Sequence, residues 1–405
     1  MKKVSLAAVL AAGTVALAAC GSGSSGSGSD GDIMIGSVHP LTGALAGVGA
    51  LMNDGAKLAV EDVNADGGIE SLDGRKLTLG EGDSKGAADT GQSEAQRLIS
   101  DGAVALVGTY QSDVTANVSA VAERSRVPLV IDVAVDDSIL EQGYKNTFRI
   151  QPDATSMGAD GADDLIALAE ANGKPVKTVS YIHIEGAFGQ SVFDAFKERA
   201  ESQGVQVLKE VTYPGTNFTD ATTQVREAAA GNPDVIVATG YYPDQLLVAQ
   251  AVKALDPDID ALYGVANGAF DDGSFPNDAG AAGENVLSAN YHYGATNDEV
   301  ADIRKRFEAE FGRPMETASV LSYQAVMVIA QALEEAGSDD PEDVRDAIAE
   351  IEVEDPLLAF DGPITFDETG QNENATVIVM QTKKGKVEQV FPDEFTTSEP
   401  VYPAK

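Results

Sequence analysis

Between Ile33 and Tyr263 one pattern repeats: a short run rich in β-branched residues, then a longer stretch with helical spacing of apolar residues. The strand runs are Ile33–Val38, Lys76–Gly80, Val104–Val107, Leu129–Ile131, Thr178–His183, Val205–Val211, Val235–Ala238 and Ala261–Tyr263. Helical spacing covers 45–64, 87–100, 114–124, 156–171, 188–202, 219–229 and 245–255. Such alternation admits few folds. Each strand must be followed by a crossover helix, so the strands lie parallel and both sheet faces are covered. The pattern runs through two rounds, the first ending near Asn146–Ile150 and the second starting near Gln151–Ser156. The expected architecture is α/β, with two Rossmann-like lobes and a cleft at the carboxyl ends of their strands.

One stretch in the first round points to a ligand. Val104–Val107 reads as a buried strand, Gly108 permits a sharp turn, and Ser112 or Asp113 is placed to cap a helix running through Val114, Val118 and Val121. A strand, a turn and a helix start aim several N–H groups at one point, which suits a carboxylate or another small anion.

After Gly283 the rhythm changes. Val286–Tyr291 is read as crossing back toward the first lobe. Helices are expected over 298–311, 316–335 and 341–350, the last with Pro341 in its first turn and Asp339, Asp340 and Glu342 at its positive end. Strands at Gly362–Phe366, Ala375–Val379 and Lys386–Phe391 close the chain.

The N-terminus reads as an address. Lys2 and Lys3 precede an apolar run over Val4–Ala16, too short for a confident membrane span and typical of a secretory signal over residues 1–19. Leu17-Ala18-Ala19-Cys20 resembles the bacterial lipobox, in which the cysteine is lipidated, and Cys20 is the only cysteine of the chain. Gly21–Ser29 is a Gly/Ser tether reaching about 15–20 Å as a random coil. About 370 residues remain from Asp32, enough for two domains. With 27 Lys+Arg against 65 Asp+Glu, the net charge of −38 argues against nucleic acid or anionic lipid as partners.

Taken in order, Pro40-Leu41-Thr42-Gly43, Asn53–Ala59, Asn64–Ile69, Gly74-Arg75-Lys76, the Ala105–Ser112 turn, Val127-Pro128, Phe148-Arg149 and Gly362–Asp367 resemble the substrate-binding proteins of ABC importers, in the leucine/isoleucine/valine-binding family. The resemblance implies a type I periplasmic-binding fold with three crossovers between lobes. Lobe one would span 32–148 and about 291–355, and lobe two 149–290 and about 356–395. It also implies a monomer with no cofactor and no enzymatic activity, capturing an amino-acid-like solute for a membrane permease. Ser112 maps onto the family's carboxylate-binding serine. Ala134 and Asp136 map onto positions that receive the ammonium, and Phe188 and Tyr241 onto aromatic walls of lobe two. Tyr110 and Gln111 either line the cleft or cover it. The family's acidic ammonium partner falls near Gly264-Val265-Ala266-Asn267, where this chain has no carboxylate. A buried ammonium without an anion costs several kcal/mol. Either Asp136 supplies the charge, or the ligand is a non-amine carboxylate such as an aromatic acid, or a urea- or nucleoside-like solute. Asp136 also reads simply as the cap of a short helix at 137–140. A ligand sensor with the same fold is a further alternative.

Two other motifs compete. Gly82-Asp83-Ser84-Lys85-Gly86 has the G-x-S-x-G spacing of a hydrolase elbow, with His183 or His292 downstream. Asp62–Asp73 has the spacing of a calcium loop, though a strand and not a helix is expected after it. His39, His183 and His292 lie too far apart in sequence to suggest zinc.

Overall fold

The computed structural model describes residues 31–404. The expected leader, Cys20 and the tether up to Ser29 lie outside them.

Five parallel strands form the first sheet: β1 (Ile33–His39), β2 (Leu77–Asp83), β3 (Ala103–Gly108), β4 (Leu129–Ile131) and β5 (Thr147–Arg149), in the order β2-β1-β3-β4-β5. Its helices are α1 (Ala46–Ala65), α2 (Ala88–Ser100) and α3 (Ser112–Ser125). The second sheet has seven strands. Parallel strands β6 (Thr178–Ile184), β7 (Gln206–Tyr213), β8 (Val235–Gly240), β9 (Ala261–Asn267) and β10 (Leu287–Asn290) are completed by the antiparallel hairpin β11 (Ile378–Lys383) and β12 (Lys386–Phe391). Helices α4 (Ala154–Ala171), α5 (Ala187–Ser202), α6 (Thr222–Ala229), α7 (Tyr242–Leu255) and the short α8 (Phe275–Ala279) surround it. The chain then returns to the first lobe as α9 (Asp298–Phe311), α10 (Thr317–Ala336) and α11 (Pro341–Ala349).

Each sheet separates two apolar cores, as parallel strands buried on both faces require. In lobe one, α1, α9, α10 and α11 cover one face, with Met52, Phe307, Leu321 and Ile329 in the core. The other face holds Leu98, Val114, Val118 and Leu129 under α2 and α3. Lobe two repeats the plan, with Met157, Phe193 and Phe196 on one face and Val225, Val248 and Phe270 on the other.

Two expectations need correction. Val286–Tyr291 does not leave lobe two: Leu287–Asn290 pairs between β9 and β11, and the crossing follows it. Gly362–Phe366 is not a strand and makes only single bridges, Val353 to Ile364 and Phe366 to Asn372. The third crossing is instead a folded segment whose Leu357, Leu358, Phe360 and Ile364 sit in the lobe-one core. It is stitched to the first crossing by Arg149 Nε, which donates to Gln371 Oε1 (2.6 Å), and by Asn372 Nδ2, which donates to the Ile150 carbonyl (2.8 Å).

On α4, Asp160, Asp163 and Asp164 crowd together, and only Asp163 gains a cation, Arg199 (2.7 Å). One buried carboxylate oxygen of Asp164 has no hydrogen-bond partner. Burial, with the Asp160 and Asp163 charges, pushes the Asp164 carboxyl up to about 8. A carboxyl raised on folding favours the native state most below about pH 4 and loses that contribution as pH climbs toward 8. Asp164→Asn should therefore stabilise the protein by about 1–3 kcal/mol at pH 8. The gain should shrink toward pH 5, as urea denaturation at the two pH values will read.

Candidate functional site

The carboxyl ends of β3, β4, β6, β8, β9 and β10 all open into the gap between the sheets. Gly108 ends β3 with φ +133°, and a Cβ there would lie 2.4 Å from the Val38 carbonyl oxygen, so the turn accepts only glycine. Helix α3 begins at Ser112 itself. Gln111 occupies the cap position without a side-chain cap bond, so neither Ser112 nor Asp113 caps the helix as the sequence suggested. The consequence strengthens the anion reading, because Ser112 now stands in the first turn. Its Oγ accepts the Asp136 N–H (3.4 Å), leaving its own hydroxyl proton to donate.

Lobe two presents Phe188, in the first turn of α5, and Tyr241, just before α7. Their rings stack at 5.4 Å with 26° between planes, and Tyr110 of lobe one meets Tyr241 at 5.4 Å and 41°. Tyr110 reaches this far because Gly268 has no side chain: a Cβ on Gly268 would lie 2.9 Å from Tyr110 Oη. These groups, with Ser112, Ala134 and Asn290, enclose a cavity of about 40 Å³ between the lobes, room for a few waters. Burial raises the phenols of Tyr110 and Tyr241, so both stay neutral donors near pH 7.

Of the residues singled out from sequence, Tyr110, Ser112, Ala134, Phe188, Tyr241 and Asn267 line this cavity, while Gln111 and Asp136 do not. The Gln111 amide donates to the Gly86 carbonyl (3.2 Å). Asp136 Oδ1 accepts from Ser138 N (2.8 Å) and Ser138 Oγ (2.5 Å), capping the turn Asp137–Ile139, and its carbonyl accepts from Arg149 Nη1 (2.9 Å). The Asn267 side chain is fully committed inside lobe two. It donates to the Ala238 carbonyl and Gln245 Oε1 (both 3.0 Å) and accepts from Ala269 N (3.0 Å) and Phe270 N (3.2 Å). The Ala134 carbonyl already accepts from Gln151 Nε2 (2.8 Å) and keeps one lone pair.

Sequence reading missed Asn290 and Tyr291, the last residue of β10 and the one after it, in a stretch it had placed in the crossing. It also stopped at Asn267 in its search for an acid. Asp271 and Asp272 lie four and five residues further on and, with Glu316 before α10, border a second cavity of about 50 Å³ that shares Tyr110 with the first. The Asp271-Asp272 pair just after β9 was the available signal.

The competing motifs are used otherwise. Ser84 is buried, and its Oγ accepts the Gly86 N–H (3.3 Å). Neither His183, bound to Glu210 and the Ile184 carbonyl, nor His292, bound to Gln389, approaches it. Asp62, first residue of the calcium-like loop, sits on α1 and pairs with Arg306 and Tyr323 Oη.

A family model described as periplasmic binding protein matches residues 32–386. The chain is 31% identical over 377 residues to the Leu/Ile/Val-binding protein homolog 8 of Brucella abortus (strain 2308), covering 89% of this chain and 91% of that one. A leucine binding protein of Thermotoga maritima superposes with a TM-score of 0.77 at 23% identity, covering 89% of this chain and 99% of its own. An ABC transporter solute binding protein of R. palustris in complex with benzoate gives 0.77 at 22%, covering 91% and 99%. The two solved structures share the two-lobed fold, and the long match to the Brucella protein goes further: the chain belongs to the periplasmic binding protein family and is a homologue of its Leu/Ile/Val-binding members.

Proposed function

We propose that this protein captures a small amino-acid-like solute outside the cytoplasm and delivers it, as a monomer, to an ABC permease, held at the membrane through a lipid on Cys20. The reading rests on one observation. The hydroxyl of Ser112 and the uncapped start of α3 in lobe one face Phe188 and Tyr241 of lobe two across a single cavity. A carboxylate bound at Ser112 brings the rest of its molecule against the second lobe only when the lobes are together. Ligand contacts made only in that state stabilise closure. The Brucella relative's name supports a branched-chain or related amino acid. No covalent step is needed, and the buried Ser84 supports binding over hydrolysis.

A second reading, a non-amine aromatic acid, is favoured by the Phe188–Tyr241–Tyr110 row and by the lack of any carboxylate among the walls of the Ser112 cavity. A thermal-shift panel of amino acids, benzoates, ureas and nucleosides separates the readings. Amino acids should raise Tm at concentrations near their Kd, and a response to benzoates alone would replace the first reading with the second.

Ser112→Ala should weaken binding 10- to 100-fold, about 1.4–3 kcal/mol, as titration calorimetry will measure, and should also cost about 1 kcal/mol of native stability because it leaves the Asp136 N–H without its acceptor. Gly268→Ala places a methyl 2.9 Å from Tyr110 Oη and 3.1 Å from the Tyr242 amide nitrogen. It should hold the lobes apart, raising Kd and enlarging the radius of gyration of the liganded protein in small-angle X-ray scattering. Cys20→Ser should release the protein from the membrane fraction.

A further inference from the structure

A second cavity, of about 50 Å³, adjoins the Ser112 cavity and shares Tyr110, Gly268 and Tyr291 with it; Val48, Leu51, Asp271, Asp272, Glu316 and Thr317 wall the second cavity only. Asp271 and Asp272 come from the loop after β9 in lobe two, whereas Glu316 and Thr317 come from the start of α10 in lobe one. All three carboxylates are held by neutral donors. Asp271 accepts from Ser288 Oγ (2.8 Å) and Asn290 Nδ2 (3.3 Å), Asp272 from Ser274 N (2.8 Å), and Glu316 from Gly273 N (2.9 Å). Among the described residues none of the three forms an ion pair. The nearby Arg304 attracts Glu316 without pairing with it, its guanidinium lying 3.8 Å from the centre of the Tyr293 ring and its Nε donating to the Met315 carbonyl (3.0 Å). Thr317 is 7% exposed, and its Oγ1 has no hydrogen-bond partner although it borders the same cavity.

Two buried carboxylates and a half-buried third, with no cation paired to them, are unfavourable as charges, and an unmade hydroxyl bond adds to the cost. Burial and the facing Glu316 charge raise the Asp272 carboxyl, and burial raises that of Glu316. A positive group entering this space is attracted by all three and finds an acceptor in Thr317 Oγ1. We infer that this cavity is a second subsite of the solute clamp, taking an amine or guanidine at the far end of the solute. The inference rests on the reading of the cleft as the solute site and narrows the solute to a carboxylate joined by a short aliphatic stem to a distal cation. Val48 and Leu51 form the wall for that stem. The α-ammonium of an amino acid does not fill the role, because it sits on the carbon that bears the carboxylate, whereas Ser112 lines the first cavity and the acids line only the second. Since Glu316 reaches from lobe one to the Gly273 amide of lobe two, a cation bound there favours closure.

Calorimetry on the purified protein at pH 7.5 tests this with 2,4-diaminobutyrate, ornithine, lysine and arginine against norleucine and leucine as neutral counterparts. At least one cationic member should bind tenfold or more tightly than norleucine. Asp272→Asn, Glu316→Gln and the isosteric Thr317→Val should each reduce that preference while leaving norleucine and leucine affinity within about twofold, and any one variant that folds suffices. Equal or tighter binding of the neutral amino acids overturns the subsite and leaves the clamp standing. Absence of binding by every amino acid overturns both. Stabilisation by calcium chloride alone, with lysine no better than norleucine, replaces the solute cation with a metal ion and also overturns the inference.

Discussion

Arg149 is buried where the first and third crossings meet, and a buried guanidinium demands that its donors be satisfied there. Its partners tie the hinge to the binding site. Nη1 donates to the Asp136 carbonyl, and the Asp136 amide in turn donates to Ser112 Oγ. Nε donates to Gln371, whose amide donates to the Gln151 carbonyl. Four hydrogen bonds thus run from the helix start that lines the cleft to the segment where the chain crosses between the lobes. In a low-dielectric setting such a chain is rigid only when every member is satisfied. Asp136 joins Arg149 to Ser112 through its backbone, and its own carboxylate is used on Ser138 to shape the turn.

The closing surfaces are built on the opposite logic. The cleft brings together aromatic rings, small residues and carboxylates that make few strong bonds across the lobes. Tyr110 against Gly268 and Tyr241, and Glu316 against the Gly273 amide, are contacts a hinge motion can make and break. Few strong bonds inside the cleft and a hydrogen-bonded network outside it are what the proposed ligand-driven closure requires.

Much of this was legible in the residues. The β/α alternation placed β1 to β4 and β6 to β9 within a few residues, because parallel strands buried on both faces must be continuous apolar runs, whereas the three-residue β5 is too short to show such a run. The Gly108 turn was legible for the same kind of reason, since a strand end followed by glycine and a helix start leaves little freedom. Reading failed where the chain leaves the alternation. Gly362–Phe366 has β-like composition, yet it is spent on the lobe-one core and on stitching the hinge, a demand set by residues more than 200 positions away such as Arg149. Ser112 lines the cleft cavity but does not cap the helix, because α3 starts two residues earlier than the sequence suggested, with Gln111 in the extended conformation before it.

The sequence alone determined the fold class, the family and the strand-turn-helix that brings the start of α3 to the cleft, since these follow from local periodicity and from motifs a few residues long. Only the tertiary structure decided which side chains meet in the cleft. It turned Asn267 inward, where four hydrogen bonds satisfy it, and it turned Asp136 onto its own turn. It also brought Asp271 and Asp272 within reach of Glu316, some 45 residues later in the chain. Whether a carboxylate faces a ligand depends on which competing donors lie nearer in space, and sequence spacing does not record distance between lobes.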